Sequence, residues 1–108
     1  MIVSTQGSGD FDAGHLFAQN GYQKFSNGLT IQWGKTPLIA GNTTTNIAFT
    51  TEFSIAPFNV VATAATARNG RGDKADGWVI TSISPSGFTI VNGFEIVAEE
   101  YYWLAIGY

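Results

Sequence analysis

The feature that most limits what this chain can fold into is a period of two. From Gly21 onward it consists of short runs in which side chains alternate, "GYQKF", "LTIQWGK", "IAFTTEF", "FNVVATAAT", "WVITSIS", "FTIV" and "YYWLAIGY". Turn formers separate them, most clearly "SNG" and "PSG", each short enough to close a tight hairpin. Runs of this length and period suit strands, not helices, and the 108 residues suffice for one domain with a real core. Ten Ile and twelve Thr against four Leu point the same way. The expectation is an all-β fold, an antiparallel β-sandwich of about seven strands. Residues 1–20, small and polar without a period, read as an irregular lead-in, a linker or stalk-proximal segment, and residues 21–108 as the sandwich.

Individual strands carry finer expectations. Leu29, Ile31 and Trp33 alternate with Thr30 and Gln32, as in a half-buried strand, and Ile47 shares a face with Phe49. Pro57 cannot donate to a ladder, so a strand should begin after it. In the closing run Tyr102, Leu104 and Ile106 alternate with Tyr101, Trp103 and Ala105. Both faces are bulky, which fits a central strand or one in a subunit interface. Trp33 and Trp103, each with apolar residues two positions away, are expected in the core or that interface.

Composition removes several functions. Only 12% of residues are charged and the net charge is −3, so there is no basic stripe to track phosphates and no pull toward nucleic acid or anionic lipid. No apolar run approaches a membrane span, and "MIVSTQGSGDFDAG" lacks the basic start and apolar stretch of a signal peptide. With no cysteine there are no disulfides, thiolate metal sites or cysteine nucleophiles. The single histidine, His15, lies in the lead-in, where a solvated linker residue is the simplest reading. No metal, cofactor or catalytic group is assigned, and the chain reads as a non-enzyme.

Charge gathers in one place. "ARNGRGDKADG", residues 67–77, holds Arg68, Arg71, Asp73, Lys74 and Asp76 between two apolar runs. As a carboxylate pair, Asp73 and Asp76 are poorly placed, because glycines and cations keep them ionised and mobile. Glu99 and Glu100 are adjacent on one strand and point to opposite faces. Arg71-Gly72-Asp73 is a three-residue match to an adhesive tripeptide; glycines that bend a loop and charges that keep its tip in water explain it more simply. Asn42 begins a glycosylation acceptor triplet, relevant only to a eukaryotic secretory protein. The stretch is best read as a displayed binding loop, with Arg68, Asn69, Arg71, Asp73, Lys74 and Asp76 offering donors and acceptors to sugar hydroxyls or an acidic sugar. "VNGFE", residues 91–95, is a second candidate, where Asn92 and Phe94 beside a glycine turn could bond to and stack on a sugar ring.

Several separated motifs then occur in a telling order: Asn-Gly-Tyr-Gln-Lys at Asn20 to Lys24, Gln-Trp-Gly at Gln32 to Gly34, "PFNVVATA", "SGFTIV", and Tyr-Trp-Leu-Ala-Ile-Gly-Tyr at Tyr102 to Tyr108. In these the chain resembles, over roughly residues 16–108, the C-terminal domain of bacteriophage and prophage tail fibre proteins, the gp53-like family. The resemblance implies a β-sandwich at the distal end of a homotrimeric fibre, carried on a virion or phage-tail-like particle. Its implied partner is a host cell-surface polysaccharide or lipopolysaccharide. The family motifs concern the scaffold, so no binding residue carries over from them. The leading expectation is a receptor-binding tip. Its alternatives are a structural trimerisation cap, a polysaccharide depolymerase and a free-standing lectin. In a parallel trimer three copies of His15 could also meet on the axis around an ion.

Overall fold

The computed structural model describes residues 11–65, 77–94 and 97–108. These form eight strands: β1 (Asp12–Leu16), β2 (Gly21–Phe25), β3 (Thr30–Lys35), β4 (Thr43–Ala48), β5 (Pro57–Ala64), β6 (Trp78–Ser84), β7 (Gly87–Asn92) and β8 (Tyr101–Gly107). They make two antiparallel sheets, a five-stranded one in the order β1-β2-β3-β8-β5 and a three-stranded one in the order β4-β7-β6. The all-β sandwich expected from the alternation is therefore the fold.

Turn chemistry accounts for the hairpins. At "SNG" the chain reverses between β2 and β3, with Gly28 at φ 98° and its N–H donating to Phe25 O over 2.9 Å. Ser84 pairs with Gly87 across "PSG", and β5 starts at Pro57. The closing strand is central, pairing β3 on one side and β5 on the other. One of its faces buries Tyr101, Trp103 and Ala105, which pack with Phe49, Phe88, Ile90 and Val60 between the sheets. The rings of Phe49, Phe88 and Trp103 meet at centroid distances of 5.4–5.7 Å.

Two expectations are corrected. The lead-in is not irregular throughout: Asp12–Leu16 is an edge strand laddered to β2, although its sequence has no clear apolar period. On β3 the period of two holds but the faces are exchanged. Thr30 and Gln32 are fully buried, while Ile31 and Trp33 are half-buried on the outer surface of the five-stranded sheet. Gln32 tolerates the core because both halves of its amide are satisfied: Nε2 donates to Thr51 O (2.7 Å), and Oε1 accepts from Thr51 N (3.1 Å). The outward residues then line up across strands. Val61, Leu104 and Trp33 form one row, and Asn59, Ile106 and Ile31 the next.

Candidate functional site

The ladders give the sandwich two distinct ends. At one, Thr30 pairs with Gly107, Pro57 with Gly107 and Asp12 with Phe25, and Phe11 O accepts from Ser26 N over 2.8 Å. At the other, β5 stops at Ala64 opposite Tyr101, β6 begins at Trp78 opposite Asn92, and Ala65 N donates to Glu100 O over 2.9 Å. β5 thus ends and β6 begins at the end of the sandwich away from Phe11. Arg68, Asn69, Arg71, Asp73, Lys74 and Asp76 lie outside the described residues; the positions that flank them, Ala65 and Gly77, do not.

The two stretches singled out in the sequence converge here. Gly93 N donates to Gly77 O over 2.7 Å, so the "VNG" turn is tied to the last residue of the charged stretch. A Cβ on Gly93 would come within 2.4 Å of Gly77 O, which leaves room only for glycine. Beside this contact lies a groove of about 290 Å³ lined by Asn42, Gly77, Trp78, Val79, Val91 and Gly93. Asn42 and Gly77 both have positive φ, 58° and 94°, so the backbone turns sharply at two points of its rim.

Aromatic side chains brace the groove. Trp78 packs on Tyr101 at 5.4 Å and on Phe94 at 6.3 Å between ring centroids. Its indole N–H donates to Ala62 O over 3.0 Å, fixing the ring between the sheets. Phe94 is half-buried next to Trp78. Nothing in the alternation marked Trp78 as a site residue; its place directly after the charged stretch was the only available signal.

Asn92 does not reach solvent, and its expected role as a ligand contact is corrected. It is 0% exposed. Its Nδ2 donates to the carbonyls of Ile39 (2.9 Å), Ala40 (3.3 Å) and Val97 (3.0 Å). Its Oδ1 accepts from Phe94 N (3.1 Å) and the Tyr101 hydroxyl (2.8 Å). The side chain is a strut that holds the turn bearing Phe94.

Among the described residues, the charged groups Lys35, Glu99 and Glu100 are engaged. Lys35 and Glu100 form an ion pair of 3.2 Å, and the hydrogen bond to Glu100 raises the Lys35 pKa. Glu99 is buried and its Oε2 accepts from Glu100 N over 3.1 Å. Toward the other end, His15 Nδ1 meets Asp12 Oδ2 at 2.7 Å and the imidazole stacks on Phe17 at 4.4 Å, so His15 is paired and not simply solvated. Among the described residues no three His, Cys, Asp or Glu side chains come together as a metal site.

Comparison with known proteins agrees with this architecture. Residues 24–108 match the family described as putative tail fiber protein gp53-like, C-terminal. No curated protein matches the chain. Among solved structures, the R2 pyocin fibre of P. aeruginosa superposes with a TM-score of 0.76 at 20% identity, covering 88% of this chain and 25% of that one. An N-truncated R1-type pyocin tail fibre superposes with a TM-score of 0.66 at 24% identity, covering 88% of this chain and 84% of that one. The chain thus spans about a quarter of the R2 fibre chain with which it shares this fold. By the match over residues 24–108, with the sandwich that accompanies it, the chain belongs to the gp53-like tail fibre C-terminal family.

Proposed function

We propose that this domain is the receptor-binding tip of a phage or phage-like tail fibre, and that it holds a glycan of the host bacterial surface without cleaving it. The observation that carries this reading is the polarity of the sandwich. Ala65 and Gly77, which flank the five charged residues in the sequence, both lie at the end opposite Phe11, and Gly77 lines a groove with the Trp78 and Phe94 rings beside it. In a fibre whose shaft lies on the N-terminal side, that end points at the cell. Polar groups for sugar hydroxyls and aromatic rings for apolar sugar faces then meet in one place.

The assembly belongs to the same proposal. The outer face of the five-stranded sheet carries Val61, Leu104 and Tyr102, which are 51%, 45% and 46% exposed, next to Trp33 and Ile31. A contiguous apolar face of this kind is covered in a stable soluble assembly. Copies of the same chain around a threefold axis are the occupants proposed here, giving a homotrimer with three tips facing one way. Avidity then strengthens a weak sugar contact.

The test pairs melting temperature with adsorption to host cells for Arg71→Ala, Asp73→Ala and Phe94→Ala. Melting should move little for the two loop variants, because exposed substitutions shift stability by no more than about 0.5 kcal/mol. Adsorption should fall, since each polar partner left unpaired costs about 1–3 kcal/mol. Unchanged adsorption in all three would favour the second reading, a trimerisation cap, for which the apolar sheet face is the supporting observation.

A further inference from the structure

The three-stranded sheet has its own concavity, on its solvent face and away from the tip. It measures about 380 Å³ and is lined by Asn46, Ala48, Ser82, Ser84, Gly87 and Thr89, with Ser86, Ile47 and Phe88 completing the wall. Along β7 this groove spans Gly87 to Thr89 and the tip groove starts at Val91, so their near edges are about 7 Å apart, at about 3.4 Å per residue.

We propose that this groove is a second carbohydrate subsite, one that takes an uncharged sugar. Its shape follows from the register. Ala48 pairs with Gly87, so no tall side chain stands on that row. A Cβ on Gly87 would lie 2.2 Å from Ile47 O, so glycine keeps the floor low and lets β4 and β7 close. Asn46 and Thr89 face each other on the next row, with Thr81 in register beyond Thr89.

The polar groups are oriented and partly unspent. Thr89 Oγ1 donates to Asn46 Oδ1 over 2.9 Å, which fixes the amide and leaves its two N–H donors directed away from that bond. Ser84 Oγ donates to Gly87 O over 3.2 Å and shapes the turn. Ser82 sits in the irregularity between Thr81 and Ser84 at φ 51°, a conformation that non-glycine residues adopt only when their surroundings enforce it. Among the described residues no charged side chain lines the groove. A preorganised set of amide and hydroxyl groups without charge matches a sugar's hydroxyls. It gives an anionic ligand no counter-ion. The inference stands on these residues alone, so the tip reading can fail while this one holds.

The experiment is a titration of the ¹⁵N-labelled full chain with D-glucose, D-galactose, D-mannose and L-rhamnose, with D-glucuronate as the anionic control. At least one uncharged sugar should give saturable millimolar shifts at the Asn46 side-chain amide and at the Ser82 and Thr89 backbone amides. Asn46→Ala and Thr89→Val should each weaken that binding about tenfold. Asn46→Asp, which still accepts from Thr89 but has no amide donors, should do the same in a fold its spectrum shows to be intact. The proposal is overturned if none of the four sugars gives saturable shifts, or if the variants leave the shifts unchanged. Shifts confined to Gly77, Trp78 and Gly93 would overturn it too, while supporting the tip.

Discussion

Asn92 illustrates how one side chain can govern a site it does not enter. It ties β7 to Ile39, Ala40 and Val97 and at the same time holds Phe94 N and the Tyr101 hydroxyl. Asn92→Ala would leave several of these groups buried without a partner, at about 1–3 kcal/mol for an unsatisfied group. The expected loss is about 3 kcal/mol, seen as a lower denaturation midpoint, with any binding defect secondary to it. Trp103 is a purely packing residue at 4% exposure, and its indole lies within 2.6 Å of where a Cβ on Gly34 would stand. Trp103→Ala should cost about 3–5 kcal/mol by cavity formation. Gly34→Ala, the complementary insult, should cost about 1–3 kcal/mol by overpacking. Chemical denaturation checks both. A polar Asn next to a glycine reads in sequence as a loop ligand because the partners that bury it, Ile39, Ala40 and Tyr101, lie on other segments of the chain. Trp78 was missed for the converse reason: its importance comes from Phe94 and Tyr101, which only the closed sandwich brings to it.

At the scale of elements, the period of two and the turn chemistry were legible, and the direction in which each strand faces was not always so. β3 turns its Thr and Gln inward because Thr51, nineteen residues on, satisfies the Gln32 amide on both sides. No local pattern can announce that. β1 was illegible because it is short, polar and defined by its partner β2 more than by its own residues. Its anchoring is electrostatic in part. The hydrogen bond from Gly14 N, then that from Gln23, then the His15 contact hold the Asp12 pKa below its ordinary value of 3.8. A carboxylate whose pKa is lowered on folding contributes stability that is complete above the ordinary value and is lost as pH falls through the lowered one. Amide exchange in β1 should therefore accelerate selectively in acid, below about pH 4, while β8 stays protected. Asp12→Asn should show the faster exchange already at neutral pH. If β1 and β8 lose protection together, this account of the edge is wrong.

At the scale of the whole molecule, the sandwich has a covered interior, an apolar outer sheet and two unlike ends. The proposed trimer is tested at the centre of that sheet by Leu104→Glu. Leu104 lies between Val61 and Trp33 on the surface of the isolated chain, so a carboxylate there leaves the core untouched and is expensive only in an assembly. Light scattering should read a trimer for the parent and a monomer for the variant, with the near-ultraviolet signal of buried Trp103 retained. A parent chain that scatters as a monomer at micromolar concentration would end the proposal. The join between β5 and β6 has a different kind of consequence. The ladders are complete up to Ala64 on one side and from Trp78 on the other, so the scaffold closes without reference to what lies between. As a general rule, doubling the length of a loop costs only about 0.6 kcal/mol in closure entropy. On the proposed reading of the tip, exchanging the eleven residues 66–76 as a cassette would redirect such a fibre to a new host in one recombination. The folding problem, solved once in the two sheets, does not have to be solved again.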